Sequence, residues 1–415
     1  MDAKDPSKIL WRPHYTLWKA TVKNIKSESI KSLGTISKGS TLTFYWISEE
    51  GMLLHTTIDA PLKSRTEATY PHKLSLKKFH KNPIISPKEH HEWTHGGTFN
   101  PAAFQDSEGG IHILYRAVGA DGVSRFGYAG SKDGIVFDDH APHPVFALQK
   151  PRNDVDPKDR YYDPVMYPSG GSWGGCEDPR MVKIGKRIYV TFSAFDSWDC
   201  IRIGLTSISE KNFLEKNWKW SKPLLISPFN KISKNWVLFP EKFDGKFAIL
   251  HSVFPNIEID LVDNLEDLHS GKKTINSNFV KDFVRKSQSW DTVMRGVGPP
   301  PLKTDQGWLV LYHAIDKNDP GKYKLGAFLL DLKDPKKVIA RSPAPLLEPQ
   351  MWYENDWKFG VVYACGAVID GDTLYVYYGG GDKHICVATG SVSHLLDHIK
   401  KSLAFSLTTE PEIKI

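Results

Sequence analysis

Short apolar runs recur along most of the chain, and their side chains alternate between two faces at a period of two residues. Leu309–Tyr312 and Tyr375–Tyr378 are clear examples, rich in Tyr, Val and Leu. This period is typical of β-strands, in which successive side chains point to opposite sides of the sheet. Helical periodicity is sparse, and the best candidate is Val392–Ile399 near the end of the chain. The pattern therefore predicts an all-β fold with one peripheral helix.

The strands are organised as a repeat. Each unit has a Gly turn, an apolar strand, a polar loop and a second strand ending in small residues. Five copies start 60 to 76 residues apart, at Gly109, Gly185, Gly245, Gly307 and Gly371. A unit of this length with four short strands is typical of a propeller blade, which must stack on its neighbours to bury both faces. We therefore expect a five-bladed β-propeller, with a β-sandwich or two unrelated all-β domains as the alternatives.

The first 80 residues contain none of the polar clusters found later. Residues 40–47 and 52–57 have the pattern of a β-hairpin and could form a sixth blade, a strand supplement or a cap. We expect an N-terminal β extension over residues 1–80 and a five-bladed propeller catalytic domain over residues 81–415.

Composition narrows the range of partners. Apolar residues make up 40% of the chain and charged residues 25%, as in ordinary globular proteins. The 54 basic and 48 acidic residues are interspersed, so no basic block is long enough to follow a nucleic-acid backbone. The sequence has no 18-residue apolar run and no apolar leader at its start, so we expect no membrane partner and a cytoplasmic location. The four cysteines lack CxxC spacing, which indicates neither a zinc site nor a disulfide framework.

Two polar clusters interrupt strands near the start of the repeat region. Asn100 precedes a proline and is expected to be extended, with its amide pointing outward. Arg116 breaks an apolar strand and offers a planar donor fork suited to sugar hydroxyls. Glu177 and Asp178 follow a glycine-rich run and are flanked by Arg180, an arrangement that is costly unless the carboxylates are paired or used. From the residues alone, a catalytic Asp178 and a structural Glu177–Arg180 ion pair both stay open.

Three later clusters carry cationic and phenolic donors. In a propeller, loops at one end of the central channel converge, so distant residues can meet there. Lys234, Arg295, His313 and a tyrosine hydroxyl together would suit a phosphate dianion, although each alone is more typical of a surface cation or a core aromatic. The sequence contains neither GxxxxGK[ST] nor GxGxxG, which argues against a nucleotide site.

Four segments resemble, in order, the signature segments of glycoside hydrolase family 130. They are Gly175–Asp196, Asn235–His251, Gly296–Asp316 and Cys365–Asp382. The family comprises β-mannoside phosphorylases and related β-mannosidases on a five-bladed propeller. The resemblance runs from about residue 82 to about residue 396 and leaves residues 1–80 outside it.

The resemblance implies roles for individual residues. Asp178 would be the catalytic acid, and the substrate-binding candidates are Asn100, Arg116, Glu177, Arg180 and Asp382. The phosphate-binding candidates are Lys234, Asn235, Arg295, His313 and Tyr323. Ser252 departs from the pattern, because the family's phosphorylases carry an Arg there and the serine lacks that bidentate donor. Phosphorolysis and hydrolysis therefore both stay open at this position.

The function we predict is inverting phosphorolysis, a glycosyltransferase-type reaction. Phosphate, the co-substrate, attacks a non-reducing-end β-mannosyl unit of a small oligosaccharide and gives α-mannose 1-phosphate. Asp178 protonates the departing oxygen, which requires a pKa raised by its surroundings. No cofactor and no metal are expected. The alternatives are an inverting β-mannosidase using water, with Glu258 or Asp260 as candidate bases, and a sugar-binding propeller without catalysis. The linkage, the acceptor sugar and the oligomeric state, including a homo-oligomer, stay open, and acceptor choice is expected to depend on aromatics in residues 170–173, 197–200 and 352–359.

Overall fold

The computed structural model describes five strands within the first 59 residues and then most of the chain from residue 73 onward. The described ranges are 73–88, 90–148, 172, 174–197, 200–229, 231–276 and 290–409. The chain divides into two compact units, Met1–Pro71 with Asn318–Gly321 and His72–Lys317 with Lys322–Ile415.

The described strands of the first unit form two antiparallel sheets. Strands β1 (Lys8–Trp11) and β2 (Trp18–Thr21) pair with each other, and β3 (Lys31–Lys38), β4 (Thr41–Ile47) and β5 (Leu53–Asp59) form a sheet in chain order. The hairpin predicted for residues 40–57 is confirmed as β4 and β5. Its role as blade, supplement or cap stays a prediction.

The second unit is built almost wholly of short strands. In chain order they are β6 (Lys77–Lys78), β7 (Gly97–Gln105), β8 (Ile111–Val118), β9 (Val123–Ser131), β10 (Asp139–His140), β11 (Gly174–Ile184), β12 (Arg187–Ser197), β13 (Cys200–Ser209), β14 (Leu224–Leu225), β15 (Val237–Phe243), β16 (Lys246–Ser252), β17 (Glu258–Val262), β18 (Val293–Val297), β19 (Leu302–Thr304), β20 (Gly307–Asp316), β21 (Asp319–Leu330), β22 (Val338–Arg341), β23 (Val362–Asp370), β24 (Thr373–Gly380) and β25 (His384–Ser391). The helices are α1 (Glu210–Leu214), α2 (Glu266–His269) and α3 (Val392–Thr409), with a 3-10 turn at Trp352–Glu354. The predominance of strands confirms the all-β prediction.

The described strands of this unit form five antiparallel groups. The first group is β7–β10, the second β11–β14, the third β15–β17 and the fourth β18–β22. The fifth combines β23–β25 with β6, so that Lys77 lies opposite Thr389. A short parallel contact of Gly174 and Gly175 with Val123 and Ser124 joins the first two groups.

The repeat seen in the sequence corresponds to one turn in each group. Four of the five repeat glycines lie between the first and second long strands of a group, and Gly307 is the first residue of β20. All five have positive φ, between 57° and 152°, which glycine adopts far more readily than other residues. The sequence period therefore marks a hairpin turn between two antiparallel strands.

The hydrophobic core lies between neighbouring groups. One cluster joins the first and second groups through Phe126 and Phe192. Three more join the second with the third, the fourth with the fifth, and the fifth with the first. The third and fourth groups meet where the Phe239 ring packs edge-on against Trp308, with 5.1 Å between centroids. Each group therefore buries its two faces against two others.

Helix α3 confirms the helix predicted at residues 392–399. Its buried residues Val392, Leu395, Leu396 and Ile399 recur at helical spacing and join the cluster between the fourth and fifth groups. Among the helices that the structure describes, none is long and apolar enough to cross a membrane.

Candidate active site

Three of the polar residues predicted for the site lie at β-bulges. Asn100 lies in the register shift between Phe99 and Ala102 of β7. Asp178 lies in the shift of β11 that follows Glu177, and Arg295 lies in a shift of β18. A bulge leaves a residue out of the ladder and redirects its side chain. The bulges thus take these three side chains out of the regular alternation of their strands.

Four site residues adopt left-handed backbone conformations. Their φ values are 50° for Asn100, 51° for Asp178, 63° for Asn235 and 50° for Asp382. Such conformations are uncommon outside glycine and concentrate at functional sites. The extended conformation expected for Asn100 ahead of its proline is therefore wrong, because the bulge imposes positive φ. Gly379 allows this placement, since a Cβ there would clash with Asn100 Oδ1.

Asp178 lies at the centre of a buried polar cluster. Its Oδ1 accepts hydrogen bonds from Asn100 Nδ2 at 2.7 Å and from Arg116 Nη1 at 3.3 Å. Arg116 also donates from Nη2 to Glu177 Oε1 at 2.8 Å and to Ser172 Oγ at 3.0 Å. The ion pair of Glu177 is thus with Arg116, and not with Arg180 as the alternative interpretation of the sequence supposed.

Arg180 joins the acid to other strands. It is fully buried and donates from Nη1 to the backbone carbonyl of Asp178 and from Nε to that of Gly298, both at 2.9 Å. Its Nη2 donates to Asn235 Oδ1 at 2.8 Å and to Tyr363 Oη at 3.2 Å. Because each of its side-chain nitrogens already donates to the protein, Arg180 fixes the backbone of the acid and is not suited to contact a ligand.

The residues expected to bind phosphate connect to the polar cluster around Asp178 through a series of contacts. Asn235 Nδ2 donates to the carbonyl of Arg295 at 2.9 Å, and Arg295 Nε donates to Tyr323 Oη at 3.1 Å. The Tyr323 ring lies 5.8 Å from the His313 ring, measured between centroids. Lys234 is half-buried and close enough to Asp178 to lower the pKa of that carboxyl group. The structure therefore brings all five phosphate-binding candidates to the neighbourhood of Asp178.

His313 is held neutral with a defined tautomer. Burial lowers its pKa to about 3, and the positive charge of Arg180 acts in the same direction while Asp178 opposes it. Nε2 accepts a hydrogen bond from the backbone N–H of Ala364 at 2.9 Å, so the ring proton is on Nδ1. Nδ1 is buried and has no hydrogen-bond partner among the described residues. Leaving a buried donor unsatisfied costs about 1–3 kcal/mol, so this N–H suits an acceptor on a ligand.

The electrostatics of Asp178 differ from the sequence expectation. Burial raises its pKa, but the charges of Arg116 and Arg180, the hydrogen bond from Asn100 and the charge of Lys234 together lower it below the ordinary value. The sequence expectation of a raised pKa for the acid is therefore wrong. Burial has the opposite effect on Lys234, whose pKa is lowered despite the carboxylates of Glu177 and Asp178.

Asp382 lies in the turn between β24 and β25. Its Oδ2 accepts a hydrogen bond from Lys358 Nζ at 2.7 Å, and its charge helps to raise the pKa of Arg116. Lys358 and Tyr363 were not identified from the sequence as individual site residues. Lys358 lies within the rim segment 352–359, but Tyr363 resembles any strand aromatic, and only its position just before the signature segment Cys365–Asp382 could have indicated it.

The carboxylates considered as alternative bases pair with a histidine. Asp260 Oδ2 lies 2.9 Å from His251 Nε2, and Glu258 Oε2 lies 3.6 Å from His251 Nδ1. Ser252 Oγ donates within its own turn, to the carbonyl of Phe254 at 2.9 Å. These pairings favour a structural role for both carboxylates.

The rim segments are described in part. Trp352 and Phe359 are exposed to 62% and 59%, as suits aromatics that face solvent. Residues 170, 171, 173, 198 and 199 of the other two rim segments lie outside the described residues. Within the described part of the chain, no group of three or more His, Cys, Asp or Glu side chains could hold a metal ion.

Comparisons with known proteins agree with these features. The family model described as β-1,4-mannooligosaccharide phosphorylase matches residues 75–401. The 1,2-β-oligomannan phosphorylase of Thermoanaerobacter sp. (strain X514) is 36% identical, over 76% of this chain and 97% of the relative. The β-1,2-mannobiose phosphorylase of the same organism is 34% identical, over 75% and 96%.

A solved structure shows the same fold. The β-1,2-mannobiose phosphorylase of Listeria innocua, in complex with β-1,2-mannobiose, matches with a TM-score of 0.58 at 24% identity. The match covers 79% of this chain and 100% of that one. Together with the family match, the sequence relatives confirm the resemblance found in the signature segments: the chain belongs to glycoside hydrolase family 130.

Proposed function

We propose that this protein is an inverting β-mannoside phosphorylase, which transfers a non-reducing-end mannosyl unit to inorganic phosphate and releases α-mannose 1-phosphate. The observation that carries the proposal is a cluster of phosphate-type donors beside a buried carboxyl group. Arg295 donates to the Tyr323 hydroxyl, the Tyr323 ring lies 5.8 Å from the His313 ring, and the His313 N–H has no partner among the described residues, with Asp178 nearby. The activities of the Thermoanaerobacter relatives support the same reaction.

The charge of the site suits a dianion. Its cations are Arg116, Arg180, Lys234 and Arg295, and the carboxylates among them are Glu177 and Asp178. Among the residues that the structure describes, these four cations exceed the two carboxylates by two charges, and Lys358 pairs with Asp382. A phosphate dianion would bring the site close to neutrality, and in a buried site charge-assisted hydrogen bonds of this kind are strong.

Phosphate would also prepare the acid. The cations that lower the pKa of Asp178 would be offset by the phosphate charge, so the pKa of Asp178 rises when the co-substrate binds. A phosphate oxygen then forms a bond to the anomeric carbon as the glycosidic C–O bond breaks, and the departing oxygen takes the proton of Asp178. The family resemblance implies that a mannose hydroxyl relays this proton. The phosphate loses its own proton on forming the ester, which restores the protonated acid.

The five-bladed propeller is part of the proposal. It is supported by the cyclic order of the core contacts, in which each of the five antiparallel groups packs on two others and the fifth packs on the first. Such a ring would direct the bulged residues of the innermost strands toward one channel. The cytoplasmic location expected from the sequence fits a reaction that consumes inorganic phosphate and yields a charged sugar phosphate.

The linkage of the substrate is best sought among β-1,2-mannosides. The family model is described for β-1,4-mannooligosaccharides, whereas the two Thermoanaerobacter relatives act on β-1,2-linked mannosides. We therefore take β-1,2-mannobiose and longer β-1,2-oligomannosides as the first substrates to test, and β-1,4-mannobiose as the comparison.

The deciding experiment is incubation of the purified protein with each mannobiose, with and without inorganic phosphate. Phosphate-dependent formation of α-mannose 1-phosphate, followed by phosphorus NMR, is the expected result. Release of free mannose at the same rate in the absence of phosphate would overturn the proposal in favour of the hydrolase. Asp178→Asn provides the control for contaminating activity.

A further inference from the structure

Tyr363 contacts four residues of the site, Arg180 and Asn235 through its hydroxyl group and His313 and Tyr323 through its ring. It lies near the start of β23, just before the bulge between Ala364 and Gly366. Its hydroxyl donates to Asn235 Oδ1 at 2.8 Å and accepts from Arg180 Nη2 at 3.2 Å. A phenol carries a single proton, so these two contacts use its donor and one of its acceptor positions.

These contacts determine which way the Asn235 amide faces. Its Oδ1 receives two donors, the guanidinium of Arg180 and the hydroxyl of Tyr363, while its Nδ2 donates to the carbonyl of Arg295. A flipped amide would set its NH2 group against two donors and its oxygen against a carbonyl. The hydroxyl of Tyr363 therefore helps to fix the amide, and through it the backbone of Arg295.

The ring of Tyr363 fixes the imidazole of His313. The two rings are stacked with centroids 4.3 Å apart and an interplanar angle of 2°. The backbone N–H of Ala364, the next residue, donates to His313 Nε2. Residues 363 and 364 thus hold the imidazole by one face and one edge, and leave the buried Nδ1–H as its available donor.

We propose that Tyr363 is a positioning residue of the phosphate site, which orients the Asn235–Arg295 pair with its hydroxyl and the His313 imidazole with its ring. The proposal rests on the phosphorylase function proposed above. Tyr363 is not suited to act as a base, because burial raises its pKa well above the ordinary value and its proton is donated to Asn235. Its effect should therefore fall on phosphate binding rather than on binding of the mannoside.

Tyr363→Phe tests the hydroxyl with the ring stack preserved. Loss of one hydrogen bond of this kind is expected to raise the KM for phosphate about 3- to 10-fold, with the KM for the mannoside unchanged within about twofold. Tyr377→Phe is the matched control, because it removes a buried hydroxyl of the same antiparallel group that donates to the carbonyl of Gly134, and the ring of Tyr377 packs on Phe137 and Tyr375. It should lower thermal stability but leave both KM values unchanged.

A double-mutant cycle with Asn235→Ala distinguishes positioning from general structural support. If the hydroxyl acts through the amide, Tyr363→Phe should change the phosphate KM little further in the Asn235→Ala background. Three results would overturn the proposal. The first is an effect of Tyr363→Phe on the phosphate KM that is as large in the Asn235→Ala background as in the wild type. The second is a phosphate KM that is as unchanged in Tyr363→Phe as in the Tyr377→Phe control. The third is a loss of kcat with an unchanged phosphate KM.

The wild-type enzyme separates this proposal from the function on which it rests. Phosphate-dependent turnover by the wild type with no phosphate effect in Tyr363→Phe would refute the positioning role alone. Turnover of the wild type that does not depend on phosphate would refute the proposed function first, and the positioning role with it. If Tyr363→Phe does not fold, the phosphate KM of Asn235→Ala provides the second measurement. An unchanged value there contradicts the network on which the proposal depends.

Discussion

The neutral imidazole of His313 should make the stability of the protein depend on pH in a defined window. The pKa is about 3 in the folded protein and about 6.5 in an unfolded chain. Between these values the unfolded state binds the additional proton, so the free energy of unfolding falls as the pH falls below 6.5. The contribution is fully present above that pH and is lost progressively toward pH 3.

The magnitude follows from the two pKa values. Between pH 7 and pH 5 the folded imidazole stays neutral, while the unfolded one becomes almost fully protonated. The loss contributed by this residue is therefore about 2 kcal/mol, or about 25-fold in the folding equilibrium constant.

The substitution His313→Gln isolates the pH-dependent stability that the imidazole contributes. Glutamine has an amide oxygen that can accept from the N–H of Ala364, and it has no titrating group. Urea unfolding of both proteins at pH 5, 6 and 7 gives the pH dependence of each. The wild type should lose about 2 kcal/mol more than the variant between pH 7 and pH 5. A difference between the two proteins that is the same at all three pH values would refute a neutral buried His313, and a wild type that gains stability relative to the variant at pH 5 would show a protonated imidazole.

Three further predictions concern the acid and its partners. Gly379→Ala should reduce kcat/KM at least about tenfold, because the new methyl group displaces Asn100 from the acid. Gly371→Ala is the control: Gly371 has φ 57° and open space around it, so this variant should lower only stability, by about 1 kcal/mol. Enzyme kinetics and urea unfolding of both variants give the comparison. Asp178→Asn should lower kcat about 10²- to 10⁴-fold yet retain mannoside binding by calorimetry, and unchanged turnover would contradict its role. Arg116→Gln should destabilise the fold by about 3–5 kcal/mol, because two buried carboxylates lose their ion pair; a loss below 1 kcal/mol in urea unfolding would argue against that pairing.

The strands and hairpin turns could be predicted from the sequence because they depend on residues that are close together in the chain. Alternating side chains located the strands, and the repeat glycines located the hairpin turns because each has positive φ. Arg116 and Asp178 drew notice as polar residues inside or beside apolar strands, but their roles, and Asp382 as a candidate, came from the resemblance to the family's signature segments.

Other features depend on contacts between distant strands. The pKa of Asp178 depends on charges contributed by β8 and by the segment before β15, and no local pattern contains their distances. The conformation of Asn100 was mispredicted because a bulge in β7 overrides the local effect of the following proline. Tyr363 was missed because the residues that it positions, Asn235 and His313, are 128 and 50 residues away in the chain.

The pairing of β6 with β25 affects how the protein is made. Lys78 lies opposite Ala388, so the edge of the fifth group is completed by a strand that leaves the ribosome about 300 residues before its partner. At translation rates of about 5–20 residues per second, β6 is synthesised roughly 15 to 60 seconds before β25. β6 is only two residues long and both are lysines, so it is a poor template for pairing with another chain during that interval. A shortened product ending before β25 would instead leave β24 as the unpaired edge of the fifth group and would lack the buried Ile385, Cys386 and Val387, so premature termination should yield aggregates and not a smaller working enzyme.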